Sequence, residues 1–223
     1  MTRGWFVTGT DTGVGKTRVA AGLIAALRRQ GHRVAGMKPV ASGCVATPDG
    51  LRNEDALALI EASGLDLPYA WVNPCAFAPA VAPHIAARDV ATPIRFSTLH
   101  AAYEQLAAAA DCVVVEGVGG WRVPLGLDGD LAALAVWLGL PVVLVVGLRL
   151  GCLNHAALAA ADIRRSGLPL AGWVASAIEA DFERSDENID ALCSILPESC
   201  LGVLAFSPTA SVDDVAASLR LPR

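Results

Sequence analysis

Charge is scarce in this sequence of 223 residues. Charged residues make up 17% of the chain, and 17 Lys and Arg against 22 Asp and Glu give a net charge of −5. This composition implies no basic surface large enough to hold a nucleic-acid backbone, so we expect no nucleic-acid partner. Two short basic pairs, Arg28-Arg29 and Arg164-Arg165, fall near predicted helix ends, where cations complement the helix dipole.

Paired cysteines and a leader segment are also missing. The six cysteines form no Cys-x-x-Cys pair, and no histidines stand near them at the spacing of zinc ligands. Reduced thiols are therefore the expected state. A predicted strand and the motif after it follow the first residues directly, which leaves no room for a charged segment, an apolar core and a cleavage site. We expect a cytoplasmic protein.

One uncharged apolar stretch has the length of a membrane helix but is interrupted. The sequence LAALAVWLGLPVVLVVGL, residues 131–148, contains a Gly-Leu-Pro break at its centre. Proline ends the helical pattern before it, and the run of valines after it is typical of a buried strand. The stretch therefore predicts a helix, a turn and a strand, and we expect no membrane partner.

Apolar strands and alanine-rich helices alternate along the chain. This pattern predicts an α/β fold with a mostly parallel sheet and helices on both faces. Strands are predicted near residues 5–9, 34–40, 112–117, 142–147, 170–175 and 201–206. Helices are predicted near 16–30, 53–63, 97–110, 129–138, 154–166, 186–196 and 211–219. We interpret the Pro- and Ala-rich segment 68–93 as an ordered excursion within a single domain of residues 1–223.

The sequence TGTDTGVGKT, residues 8–17, ends a predicted strand and opens a predicted helix. This is the context of a phosphate loop, in which backbone N–H groups and the helix dipole favour an anion. Lys16 would reach the terminal phosphates, and Thr17 would place its hydroxyl on Mg²⁺. Five residues separate Gly9 from Gly15, where the standard spacing is four. The alternative is a glycine-rich turn without a ligand.

Glu116 lies at the end of the apolar run in CVVVEGVGGW, residues 112–121. An unpaired buried carboxylate is costly, so we expect Glu116 to meet a cation, with Mg²⁺ beside the phosphate loop as the candidate. The glycines that follow would let a ligand approach the backbone closely. The alternative is a strand-end glutamate in water.

Three further polar residues are open to two interpretations each. In RNEDALAL, Asp55 either belongs to a metal site or only favours the positive end of a helix capped by Asn53. Lys38 in GMKPVASG either extends into solvent or supplies a second positive charge to a transferring phosphoryl group. Ser42 either lines the same pocket or belongs to a turn.

Several segments together resemble the dethiobiotin synthetase family. They are FVTGTDTGVGKT, KPVASG, GLRNEDALAL, PHI, VVEGVGGW, LPVVLVVG, LGCLNHA and AGWVA, in this order between residues 6 and 175. After about residue 178 the match is weak. The family shares the five-residue spacing in the phosphate loop. The resemblance implies a fold of the P-loop NTPase-like type.

The resemblance also implies an activity. A homodimer would convert 7,8-diaminononanoate, CO₂ (or bicarbonate) and ATP into dethiobiotin, ADP and phosphate, with Mg²⁺ as cofactor, in biotin synthesis. The implied route starts with a carbamate on one amine. The γ-phosphate then activates the carbamate as a carbamic-phosphoric anhydride, and the second amine closes the ureido ring.

Matching positions carry the implied roles. Lys16 and Lys38 would be catalytic, and Thr17, Asp55 and Glu116 would hold the metal. Substrate-binding positions are Thr12, Ser42, Gly151, Cys152, Leu153 and Asn154, the last four acting across the dimer interface. Nucleotide-binding positions are Gly13, Val14, Gly15, Lys16, Thr17, Arg18, Asp55, Glu116, Gly117, Val118, Gly119, Ser176, Ala177, Ala205, Phe206 and Ser207. Ser176 stands where the family has an adenine-recognising asparagine, so we expect weaker selection of the nucleotide base.

For two of these positions the residues alone also allow a plainer interpretation. Thr12 would then be a loop hydroxyl bound to its own backbone, and Asn154 would be a helix cap.

Two alternatives for the function stay open. One is another ATP-dependent amide or cyclisation ligase of the same superfamily, with a different pocket at KPVASG and LGCLNHA. The other is a nucleotide-switched partitioning or regulatory ATPase that acts by dimerisation and partner binding. A membrane-seeking amphipathic tail or a basic DNA-facing surface would favour the second, and neither is apparent in the sequence.

Overall fold

The structure is a computed structural model that describes residues 3–222. Its strands are β1 (Arg3–Gly9), β2 (Val34–Met37), β3 (Val40–Ser42), β4 (Val45–Thr47), β5 (Gly50–Arg52), β6 (Cys75–Phe77), β7 (Cys112–Glu116), β8 (Pro124–Gly126), β9 (Gly129–Asp130), β10 (Val142–Leu148), β11 (Leu170–Ala177) and β12 (Cys200–Leu204). Its helices are α1 (Lys16–Arg29), α2 (Glu54–Ser63), α3 (Tyr69–Val72), α4 (Pro83–Asp89), α5 (Phe96–Ala109), α6 (Leu131–Leu138), α7 (Cys152–Arg165), α8 (Ser185–Ile195) and α9 (Val212–Ala217).

Six strands of the described residues form the central sheet. Their order is β12-β11-β10-β1-β7-β2, and every neighbouring pair is parallel. Strands β3 and β6 form a separate parallel pair, and β4–β5 and β8–β9 are antiparallel hairpins. In a parallel sheet all carboxyl ends lie at one edge, so the loops after β1, β2, β7 and β10 share that edge.

Both faces of the sheet are covered by helices. Along β10, Leu144 and Val146 belong to one apolar cluster, and Val143 and Val145 belong to the other. Helices α5, α6, α7 and α8 contribute to the first cluster, and α1, α2 and α9 contribute to the second. Because side chains alternate along a strand, a run of valines buried on both sides needs these two layers.

The predicted elements are present, with differences at their ends. The stretch 131–148 forms α6, a left-handed turn at Gly139 (φ 65°) and β10, as predicted. In the part of the chain that the structure describes, no helix is long and apolar enough to cross a membrane. The basic pairs end α1 and α7, as predicted.

Two end points differ in a way that matters for the site. The strand predicted over 34–40 ends at Met37, so Lys38 lies outside the central sheet. The helix predicted from residue 154 begins at Cys152, and the plain interpretation of Asn154 as its cap is wrong. Gly151 (φ 95°) takes that position because the turn needs a left-handed residue. Segment 68–93 is ordered as expected, and it contains α3, β6 and α4.

Candidate active site

The loop between β1 and α1 contains two glycines at which the chain turns. Gly13 (φ 74°) and Gly15 (φ 90°) adopt left-handed backbone conformations. At Gly9 a Cβ atom would lie 2.5 Å from Cγ2 of Val14, so a side chain there is excluded. Gly15 has no side chain to cap the first amides of α1, which is the arrangement that favours a bound anion. The predicted phosphate loop therefore has the expected local structure.

Lys16 opens α1 and points back across this loop. Its Nζ donates a hydrogen bond to the carbonyl oxygen of Asp11 at 2.8 Å, and its side chain is buried. Burial lowers the pKa of Lys16 to about 8, and the positive charge of Lys38 adds to that shift. A bound anion would raise the pKa of Lys16 again, because it favours the charged form of the amine.

Lys38 joins the ends of two other elements. Its Nζ lies 2.7 Å from Asp55 Oδ2 in the first turn of α2 and 2.6 Å from Glu116 Oε1 at the end of β7. Lys38 and Glu116 are 3% and 1% exposed, so solvent screens their contact little, whereas the Asp55 side chain is 40% exposed. Burial alone would lower the pKa of Lys38, but the charges of Glu116 and Asp55 outweigh it and raise that pKa. Lys38 is therefore a fixed positive charge, and its interpretation as a solvent-exposed residue is wrong.

The two carboxylates also meet Thr17. Thr17 Oγ1 lies 2.9 Å from Asp55 Oδ1 and 2.9 Å from Glu116 Oε1, and its single proton can serve only one of them at a time. Asp55 is thus more than a charge at the start of α2. Asn53 caps that helix as predicted, since its side chain accepts a hydrogen bond from Ala56 N at 3.3 Å.

The oxygen atoms of this cluster fit Mg²⁺. Glu116 is 1% exposed, and its Oε2 has no hydrogen-bond partner among the described residues. Thr17 and Asp55 add a hydroxyl and a second carboxylate, which are the hard ligands that Mg²⁺ prefers. The part of the chain that the structure describes holds no cluster of three or more His, Cys, Asp or Glu suited to a metal. A metal here would complete its ligands with phosphate oxygens and water.

These residues line one cavity of about 740 Å³. Of the predicted positions it contains Thr12, Gly13, Gly15, Lys16, Thr17, Lys38, Ser42, Asp55, Glu116, Val118 and Gly119. The lining residues that the sequence did not assign to the site are Asn53, predicted only as a helix cap, and six apolar residues that form a wall: Ala41, Ala80, Val81, Ala82, Pro83 and Val123. Four of these, residues 80–83, come from the Pro- and Ala-rich segment, and Pro83 is the first residue of the quoted PHI. The available signals were that match and the quoted KPVASG, which contains Ala41.

The other predicted positions lie outside this cavity: Val14, Arg18, Gly117, Gly151, Cys152, Leu153, Asn154, Ser176, Ala177, Ala205, Phe206 and Ser207. Ser176 is 1% exposed, and a Cβ atom on Gly15 would lie 2.7 Å from its Oγ, so it packs directly under the phosphate loop. Ala205 to Ser207 follow β12, whose Leu204 pairs with Ser176.

The start of α7 is joined to the phosphate loop by an ion pair. Arg149, two residues before Gly151, places a guanidinium nitrogen 2.5 Å from Asp11 Oδ2. Asp11 Oδ1 also accepts a hydrogen bond from Thr12 N at 2.7 Å, which satisfies the backbone of Thr12 with its neighbour. The Thr12 side chain stays among the cavity-lining groups.

Fold and site together define a phosphate-loop nucleoside triphosphatase. Solved structures with this fold include a ParA family ATPase from Chlorobium tepidum (TM-score 0.59, 12% identity, 98% of this chain and 91% of that one). Another is MinD from Aquifex aeolicus (TM-score 0.58, 16% identity, 97% and 87%). At these identities the likeness shows the fold alone.

Closer relatives specify the family. A family model described as an AAA domain matches residues 3–212. An ATP-dependent dethiobiotin synthetase of Pseudomonas aeruginosa is 53% identical over 218 residues, which cover 97% of this chain and 96% of that protein. One of Xanthomonas campestris is 50% identical over 98% and 97%. The chain belongs to the ATP-dependent dethiobiotin synthetase family.

Proposed function

We propose that this protein is an ATP-dependent dethiobiotin synthase of biotin synthesis. It joins 7,8-diaminononanoate with CO₂ and uses ATP to close the ureido ring, releasing ADP and phosphate. The observation that carries this proposal is a single cavity with the phosphate loop, two buried lysines and the hydroxyl residues Thr12 and Ser42. Its volume is in the range of pockets that take a drug-sized ligand, and its apolar wall suits the aliphatic chain of the diamine.

The reaction is a phosphoryl transfer followed by ring closure. One amine of the substrate takes up CO₂ as a carbamate, and a carbamate oxygen attacks the γ-phosphorus while the bond to ADP breaks. The second amine then attacks the carbamate carbon, and phosphate leaves with that oxygen. Negative charge collects between the γ-phosphate and the carbamate during the first step, so positive groups placed there lower the barrier.

Lys16 and Lys38 are the catalytic residues in this proposal. Lys16 neutralises the phosphate tail where ATP binds. Its pKa is lowered because its charge is buried, and a bound phosphate would raise that pKa again. Lys38, held by two carboxylates, stabilises the charge that develops as the anhydride forms. Mg²⁺ bound by Thr17, Asp55 and Glu116 would offset charge on the phosphate oxygens.

Thr12 and Ser42 bind the carbamate or the diamine. The segment Gly151 to Asn154 binds the carboxylate tail of the substrate in the neighbouring subunit of a homodimer. Gly151 and Asn154 are exposed at the start of α7, and Cys152 between them is buried. A helix N-terminus favours a carboxylate, and this one lies outside the cavity of its own chain, which supports the assignment. Leu150 is 93% exposed and Leu158 is 63% exposed, which suits a surface covered by a partner.

The nucleotide contacts the backbone of residues 13–18 and 116–119 and, around the base, Ser176, Ala177 and residues 205–207. Residues 1–223 act as one cytoplasmic ligase domain. ATP and the diamine are its small-molecule partners.

Direct product detection tests this function. The protein is incubated with 7,8-diaminononanoate, bicarbonate, Mg²⁺ and ATP, and dethiobiotin and ADP are measured by mass. We expect equal amounts of both, and a large loss of both in Lys38→Leu. ADP release without dethiobiotin would support a nucleotide-switched ATPase instead.

A further inference from the structure

Both backbone polar groups of Lys38 are bound outside the central sheet. The strand β2 ends one residue earlier, at Met37. Lys38 N donates to Val72 O at 2.8 Å, and Lys38 O accepts from Asn73 Nδ2 at 2.6 Å. Hydrogen bonds with residues 72 and 73 therefore fix the position of the Lys38 backbone.

Asn73 is held in one orientation by its surroundings. It is 3% exposed, and its Nδ2 faces two carbonyl oxygens, Lys38 O and, at 3.4 Å, Cys75 O. Its Oδ1 accepts a hydrogen bond from the hydroxyl of Tyr69 at 3.0 Å. A flipped amide would place oxygen against both carbonyls, so this orientation is required.

The same hydroxyl reaches the helix that carries Asp55. Tyr69 Oη accepts a hydrogen bond from Asn53 N at 2.8 Å, and Asn53 is the N-cap of α2. Asp55 stands two residues later and contacts Lys38 Nζ. Three hydrogen bonds thus link Lys38 to the start of α2 through Asn73 and Tyr69, and the ion pair closes the ring. We call these three bonds the Tyr69 relay.

We propose that Tyr69 and Asn73 are positioning residues, which set the separation of Lys38 and Asp55 through the Tyr69 relay. This inference rests on the function proposed above. Tyr69 uses its hydroxyl as donor and acceptor at once, so Tyr69→Phe breaks two of the three bonds. In this variant the aromatic ring at residue 69 stays in place under the guanidinium of Arg52, whose Cζ lies 4.2 Å from the centroid of the Tyr69 ring.

Loss of the relay acts on the chemical step. A buried amide and a buried carbonyl lose their partner, and the strand end and the helix start can move apart. Small displacements of a catalytic group reduce turnover strongly, so we expect Tyr69→Phe to lower kcat about tenfold. The KM for ATP should change less than kcat, about twofold, because Lys16 and the glycines of the phosphate loop keep their positions and only the contact of Asp55 with Thr17 is affected.

The chain offers a matched control, since its other tyrosine, Tyr103, lies on α5 outside the relay. Dethiobiotin formation is first established with the wild type, and Tyr103→Phe should keep its kcat within about twofold. If neither the wild type nor Tyr103→Phe forms dethiobiotin, the proposed function itself is refuted. Thermal unfolding of both variants separates a loss of turnover from a loss of folded protein.

Two further variants show whether the effect runs through Lys38. Asn73→Asp keeps the shape of the side chain but removes the donor to Lys38 O, and we expect a fall in kcat similar to that of Tyr69→Phe. In a Lys38→Leu background, Tyr69→Phe should have almost no further effect. The proposal is overturned if Tyr69→Phe keeps kcat within about twofold of wild type, or if it lowers residual turnover equally in the Lys38→Leu background.

Discussion

Two junctions of the molecule share one local design. β1 leads into α1 through Gly15, and β10 leads into α7 through Gly151. Both glycines are left-handed, with φ of 90° and 95°, and neither has a side chain to cap the helix. Only the first junction lines the cavity with the two lysines and two carboxylates.

The difference comes from the neighbours of each strand. β7 lies beside β1 in the sheet and brings Glu116 next to the phosphate loop, where Lys38 and Asp55 join it. At the second junction Cys152 N already donates to Arg149 O at 3.0 Å, and Leu150 is exposed. The two junctions thus share a backbone design, and the charged groups of the first one come from the elements beside it: Glu116, Lys38 and Asp55.

The largest expected effect separates the two lysines. Lys16→Ala should lower kcat/KM for ATP by about a thousandfold and weaken nucleotide binding, because it removes charge from the phosphates in ground and transition states. Lys38→Leu should lower kcat by about a hundredfold with little change in nucleotide affinity. Steady-state kinetics with direct ATP titration measure both. Near-normal turnover of Lys38→Leu would remove it from the mechanism.

The two junctions should complement each other between subunits. Asn154→Asp adds a negative charge that repels a substrate carboxylate but is compatible with the start of α7. Mixed with Lys16→Ala at equal amounts, it should restore up to about a quarter of wild-type activity, since half of the dimers are mixed and each has one intact site. Mass spectrometry verifies that subunits exchange. Exchange without recovered activity would place both junctions in the same subunit's site.

The first junction should also respond to pH. The pKa of Lys16 in the free protein is about 8. Above that pH, neutral Lys16 must regain a proton before it binds a triphosphate, so affinity for Mg·ATP should fall about tenfold per pH unit. Calorimetry between pH 7 and 10 measures this, with Lys16→Ala as a variant that should lack the slope. A wild-type affinity that stays constant over this range would contradict the lowered pKa.

The smallest expected effect concerns the nucleotide base. The Ser176 hydroxyl is short and buried beneath Gly15, so it does not supply the two-point match that an asparagine amide gives to adenine. ATP, GTP, CTP and UTP should then have kcat/KM values within about tenfold of one another. Competition assays with wild type and Ser176→Asn test this. A preference for ATP above about a hundredfold, unchanged by the substitution, would place base recognition elsewhere.

The sequence predicted what depends on local pattern. The phosphate loop, the alternation of strands and helices and the cap at Asn53 all follow from short stretches of residues. The start of α7 was misplaced because Asn154 is a good cap, whereas the turn needed glycine at residue 151. The Tyr69 relay depends on contacts between distant segments, which carry no local signal. In the apolar wall at residues 80–83, only Pro83 belongs to a segment that the resemblance marked.

In the proposed reaction, this cavity transfers the γ-phosphate to a carbamate oxygen. A single turnover with ¹⁸O-labelled bicarbonate, completed before the label exchanges with water, follows that oxygen. We expect the released phosphate to carry one ¹⁸O atom and dethiobiotin to form in equal amount. Unlabelled phosphate would contradict this reaction, because the γ-phosphate would then have passed to water.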